Sequence, residues 1–256
     1  MSGDDKNKDG KQNKENVIGF EKKRTEILKK KKADKARNQA AQNPAYYSYN
    51  PSNSTNPPMF NIPAGTKYLL GFLILIHIVI HYIANQDMQD WITYHLGFVP
   101  ARFTSGNMGE ALQFVTPITH MFLHGSWLHM GMNGVMLLAF GSGLEKWIGT
   151  KKMLQIFFVS GLIGIATHFA IYYYAMDPVI GASGGLSGMF AAALIMLQRQ
   201  NAGMAGKYGI WPFIALWIGI SVIFGLMGSP DGAAVAWVVH IGGFMGGFIA
   251  VKLLKI

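Results

Sequence analysis

The stretch GASGGLSGMF, Gly181 to Phe190, sets a serine hydroxyl among glycines at the point where an apolar run of membrane length begins. Gly181, Ala182, Gly184 and Gly185 surround Ser183, so a second backbone and a substrate can approach its Oγ without meeting a side chain. A serine alone is a poor nucleophile, because its hydroxyl pKa lies far above neutral. It needs a base within hydrogen-bond reach and donors for the oxyanion that its attack creates. Whether the rest of the chain brings both to the depth of Ser183 decides between a reaction centre and a packing seam.

Outward from that stretch the composition is that of a membrane protein. Half of the 256 residues are hydrophobic and only 14% are charged, at a mean hydropathy of +0.24. The charge is segregated: residues 1–40 hold 13 of the 22 Lys and Arg and 7 of the 13 Asp and Glu. Residues 1–42 are too polar to bury a core and are expected to be disordered. Their first reading is a solvated basic tail that fixes orientation. The second is a short amphipathic helix from about Asn16 to Ala36, carrying Val17, Ile18, Phe20, Ile27 and Leu28, that rests on anionic lipid. Residues 43–66 form a linker rich in Pro, Asn and Ser. The absence of cysteine excludes disulfides, thiolate catalysis and Cys-ligated metal. Nothing in the pattern points to nucleic acid, and the first apolar run lies too far in and is too long for a signal peptide.

From Lys67 onward, apolar runs of about 17–22 residues match a hydrocarbon core of roughly 30 Å. They predict an all-α polytopic membrane protein with six spans, at Tyr68–Ala84, Thr119–Leu144, Met153–Ala175, Ser183–Leu197, Ile210–Leu226 and Ala233–Leu254. Basic residues alternate between loops: Arg102 alone in the first, Lys146, Lys151 and Lys152 in the second, Arg199 and Lys207 in the fourth, Lys252 and Lys255 at the end. The positive-inside rule then predicts cytoplasmic termini. Loops one, three and five, with Asp87, Asp90, Glu110, Asp177 and Asp231, face outward, and the first, with its aromatic residues, lies partly in the interface.

Polar residues within spans face the bundle interior by default. The second span offers His120, His124, His129 and Asn133, the last two at i and i+4 on one helical face. The sixth carries His240 with Gly243 and Gly247 at i+3 and i+7, and Gly243-x-x-x-Gly247 is a surface that admits a close partner helix. Ser183, Ser187 and Ala191 form the expected complement. His240 lies about 10 Å inside the outer end of its span at 1.5 Å per residue, a depth that matches His129 and a recessed Ser183. Neutral His240 would act as general base and acid, while His129, Asn133 and the Ser183 backbone N–H would serve the oxyanion. Ser187 sits in a second, overlapping GxSG. Ser183 is preferred because it stands at the helix start, nearer the outside. His120, His124 and His129 at zinc-like spacing lack both an HExxH and a nearby carboxylate, so no metal is expected, and His120 and His124 read as structural, anchoring the first loop. His77 and His81 in the first span have no nameable partner.

HxxxHxxxxHxxxN at His120 to Asn133, GxSG at Gly181 to Gly184 and HxxGxxxG at His240 to Gly247 together resemble the rhomboid intramembrane serine proteases. The resemblance spans residues 67–256. It implies a six-helix core whose cavity opens to the outside, Ser183 as nucleophile, His240 as base, and His129 with Asn133 at the oxyanion hole. It implies membrane-protein substrates cut in or near a transmembrane segment, and no cofactor. Gly181, Gly184, Gly243 and Gly247 are the expected helix-packing glycines. Two departures stand out: Val115 and Thr116 occupy positions where the family often has Trp-Arg, and Ser187 stands where some members place a Tyr against the catalytic His. A relative that has lost catalysis and binds transmembrane helices as an adaptor is the alternative, but Ser183 and His240 are both present.

Overall fold

The computed structural model describes residues 24–32, 34, 61–104, 111–200, 209–228 and 236–256. The rest of the basic tail, the linker up to residue 60, Glu110, Lys207, Asp231 and the expected start of the sixth span at Ala233 lie outside the described residues. The chain divides into two units, Met1–Met59 and Phe60–Ile256. In the first, residues 24–32 are helical with exposed side chains, Ile27 and Leu28 included.

The second unit is helical. Helix α1, Ala64–Ile78, runs on through a π-turn at Val79–Ile83, and α2, Gln86–Leu96, and the short α3, Ala101–Thr104, make up the described part of the first loop. After a 3₁₀ turn at Ala111–Val115 come α4, Thr116–Thr119, and a second 3₁₀ turn, His120–Phe122. Helix α5, Trp127–Met136, continues through a π-turn at Leu137–Gly141 into α6, Ser142–Ile171. Helices α7, Ser183–Gln200, α8, Trp211–Met227, and α9, Trp237–Leu253, complete the unit. Ala64–Ile83 and Trp127–Ile171 are long and apolar enough to cross a membrane, and α8 and α9 are shorter apolar helices. Exposed apolar side chains crowd α1 and α8, among them Leu75, Ile83, Trp211, Leu216 and Leu226, which suits a hydrocarbon surround and not water.

Among the described residues, one expected break is present and one unexpected break corrects the second span. The 45-residue run from Trp127 is interrupted at Gly149, whose φ of 80° and ψ of 163° end one helix and start another, between the second and third expected spans. The second span is not continuous from Thr119. Leu123–Gly125 is non-helical, and α5 starts afresh at Trp127 because the Ser126 Oγ accepts the His129 N–H at 3.1 Å as an N-cap. His120 and His124 therefore do not stack on one helical face.

The core lies where α6, α7 and α9 meet. Leu73, Met121, Leu137, Leu144, Met153, Ile156, Phe157, Leu186 and Met189 are fully buried there or beside it. The seam itself is made of glycine. A Cβ on Gly243 would collide with the Gly184 carbonyl oxygen, one on Gly247 with that of Gly188, and one on Gly188 with the Ser160 side chain. The complement to the Gly243/Gly247 stripe is thus Gly184, Gly188 and Ala191, one position round the helix from the expected Ser183, Ser187 and Ala191, because only backbone fits at this separation.

At the other end of the unit, Glu145, 6% exposed, accepts hydrogen bonds from the Gly65 and Thr66 N–H groups at 2.7 and 2.6 Å, and from the Thr66 and Thr150 hydroxyls, each at 2.7 Å. The carboxylate caps the first turn of α1, where orphan N–H groups and the helix dipole favour an anion.

Candidate active site

Ser183 opens α7, and the approach to it is built by backbone. Gly181 has φ of 121°, a conformation open to glycine. Its N–H donates to the His120 carbonyl at 2.8 Å, which ties the approach to the start of the histidine motif through main chain. A Cβ on Gly181 would stand 2.7 Å from His129 Nε2. Gly181 was expected among the helix-packing glycines. It precedes the helix instead, and its lack of a side chain makes room for His129.

The first loop is tied to this approach by a two-residue antiparallel bridge. Phe98 N–H donates to the Val179 carbonyl at 3.0 Å and Val179 N–H returns the bond at 2.8 Å. Ala101 N–H to the Ala175 carbonyl and Thr104 Oγ1 to the Tyr173 carbonyl, both 3.0 Å, add two further ties. Arg102, 8% exposed, donates to the Tyr94 carbonyl at 3.0 Å and lies 5.3 Å from the Tyr94 ring centre. These contacts hold the loop although Val115 and Thr116 stand in place of a Trp-Arg anchor.

Four of the singled-out side chains converge. His240 Nε2 and Ser183 Oγ are 2.9 Å apart, the distance of a hydrogen bond in which the serine donates to a neutral imidazole. His129 and Asn133 approach from α5: an atom placed at the missing Gly181 Cβ would be 2.7 Å from His129 Nε2 and 3.8 Å from Asn133 Nδ2. Asn133 is 2% exposed and its Nδ2 has no hydrogen-bond partner, a buried donor whose natural acceptor is a group that arrives from outside. Ser183, His129 and His240 each keep partial exposure, while Gly181, Ala182 and Gly184 to Met189 are buried. A serine hydroxyl, an imidazole acceptor and convergent N–H donors are the parts that acyl transfer requires.

Ser187 is fully buried and its hydroxyl donates to the Ser183 carbonyl at 2.7 Å, so it caps backbone inside the helix and does not meet His240. Trp217 of α8 lies beside His240, at 6.4 Å between ring centres and 43° between planes, itself packed on Phe190 at 5.0 Å. The position of Trp217 was not legible in the sequence, since it lies among aromatic and aliphatic residues that read as lipid-facing. His77 acquires neighbours too: His81, His124 and Trp127 surround it.

A family model, the rhomboid domain, matches residues 111–255, more than half of the chain and all of the site just described. Among curated proteins, the rhomboid protease AarA of Providencia stuartii is 30% identical over 165 residues, 53% of this chain and 54% of that one. YdcA of Bacillus subtilis, provisionally named a rhomboid protease, is 28% identical over 145 residues, 55% and 66% of the two chains. The rhomboid protease GlpG of Yersinia pestis is 25% identical over 190 residues, 72% and 60%. The aligned segment thus spans less than two thirds of each of these relatives. With the motifs, the glycine seam and the convergent site in agreement with the family match, this chain belongs to the rhomboid family.

Proposed function

We propose that this protein is an intramembrane serine endopeptidase that cleaves other membrane proteins in or near a transmembrane segment. The observation that supports it most is the 2.9 Å separation of His240 Nε2 and Ser183 Oγ. In the proposed reaction Ser183 Oγ attacks the scissile carbonyl carbon and its proton passes to His240 Nε2. The carbonyl oxygen, now an anion, receives hydrogen bonds from His129, Asn133 and the Ser183 N–H at the start of α7. The intermediate collapses as the C–N bond breaks, and His240 hands the proton to the leaving amine. Water, deprotonated by His240, then attacks the acyl ester, and Ser183 regains its proton as the new carboxylic acid leaves. No cofactor takes part, and no carboxylate joins the dyad.

The membrane domain of this reading is residues 67–256 and crosses six times, with both termini cytoplasmic and the site open to the outside, in a bacterial-type inner membrane. Residues 1–42 are a solvated basic tail that fixes orientation and residues 43–66 a linker. The test is cleavage of a single-span substrate in detergent by the unaltered chain, Ser183→Ala, His240→Ala and Ser187→Ala, with folding checked for each. The reading requires product from the unaltered chain and Ser187→Ala only. A chain that binds such substrates and cuts none of them is the adaptor.

A further inference from the structure

Helix α1 supplies none of the converging side chains, yet it meets the turn that carries His129. Helix α5 starts afresh at Trp127 after the non-helical Leu123–Gly125, so no continuous helix leads into its first turn. His129 belongs to that turn, its N–H capped by the Ser126 Oγ at 3.1 Å, and its Nε2 borders Gly181. How this turn is placed therefore decides where the His129 ring points.

His77, in the last turn of α1, contacts it on two sides. Its ring stands edge to face with Trp127, at 4.5 Å between centres and 83° between planes, and with His124 at 6.3 Å and 89°. Both fall in the range of edge-to-face ring pairs. His124 in turn lies at 5.1 Å and 74° to His129. The rings form a row from α1 to the serine site, with Trp127 closing its side. Two turns deeper a Cβ on Gly134 would stand 3.3 Å from Leu70 Cδ1, so the two helices run against each other below the row as well. His77 is 2% exposed, and its Nε2 has no hydrogen-bond partner. An unpaired buried nitrogen costs stability, so the fold alone favours an aliphatic side chain at this position. A planar ring can stand nearly perpendicular to two neighbours at once, which a branched aliphatic chain cannot.

We propose that His77 is a positioning residue for the serine site: through Trp127 and His124 it sets the orientation of His129. What the placement serves rests on the protease reading; the placement itself does not. The test takes the full chain in detergent, in the Ser183→Ala background, with its histidine rings carbon-13 labelled and the His129 signal identified by its loss in His129→Gln. The His129 signal should move or split in His77→Leu, stay in place in Leu75→Ala on the exposed face of α1, and return toward its original position in His77→Phe. In the active-serine chain, His77→Leu should lower kcat about tenfold, short of the roughly 10²–10³-fold of losing an oxyanion donor outright, with KM little changed and the melting point no lower. His77→Phe should recover most of the loss. A His129 signal unmoved in folded His77→Leu overturns the placement. So does His77→Phe behaving no better than His77→Leu, or a melting point that falls along with activity, which would make the residue a packing element. A moved signal with kcat unchanged overturns the role in the reaction. A chain that cleaves nothing removes the protease reading, while the spectra still decide whether His77 places His129.

Discussion

Replacing Glu145 by alanine should loosen the whole membrane unit from the end opposite the serine. The carboxylate collects four hydrogen bonds of 2.6–2.7 Å, two from backbone at the first turn of α1 and two from Thr hydroxyls, at a residue only 6% exposed. Bonds to a charged acceptor contribute about 1.5–3 kcal/mol each, and removing the acceptor strands the donors. The hydroxyls can turn to nearby carbonyls and the carboxylate's own burial is relieved, so a net loss of about 3 kcal/mol is expected. At about 2–4 °C per kcal/mol for a unit of this size, thermal unfolding in detergent should fall by about 6–12 °C. Glutamine keeps one acceptor oxygen and turns an NH₂ toward the other donors, for roughly half that loss. Gly65→Ala should act partly through the same bonds, since its Cβ would meet the Thr150 methyl and stand 2.8 Å from Glu145 Oε1. The double variant should therefore lose less than the sum of the two single losses. A Glu145→Ala chain unfolding within about 2 °C of the unaltered protein, or full additivity with Gly65→Ala, refutes the clamp.

Gly247→Leu forces a branched side chain into the Gly188 backbone and Ala191, and should abolish folding, read as aggregation on size exclusion, whereas Met245→Leu on the exposed face should not. Gly181→Ala, strained at its φ of 121° and set against His129, should lower kcat/KM at least a hundredfold with a melting point changed by only a few degrees. Trp217→Ala should reduce cleavage more than Trp217→Phe, since a phenyl ring still packs between Phe190 and His240. Equal activity of the two would show that this ring does not hold the imidazole.

Several parts of the site were visible in the residues because their types are improbable in an apolar setting. His240, Asn133 and Ser183 are polar groups in apolar runs, and GxSG and HxxGxxxG fix their spacing along helices, so depth could be matched by counting. What could not be counted was helix phase across a contact. Ser183 and Ser187 look as small as Gly184 and Gly188, yet only the glycines lie on the seam, and that depends on how closely the backbones approach. The break between His120 and α5 was hidden by an unbroken apolar run, in which Gly125 and Ser126 act as a stop and an N-cap. Contacts remote in sequence, such as Phe98 with Val179, Glu145 with Gly65 or Trp217 with His240, leave no periodic trace in a single chain.

The glycine seam has a consequence for how this architecture is inherited. Gly184, Gly188, Gly243 and Gly247 hold α7 against α9 by main-chain contact, to which the Ser183–His240 hydrogen bond adds a single tie at one end. Exchanging either reactive group for a small neutral one leaves the contact surfaces of both helices unchanged. The scaffold and the reaction are separable. A lineage can discard the proposed reaction in one substitution and keep the packed helices, whereas losing the seam takes both at once.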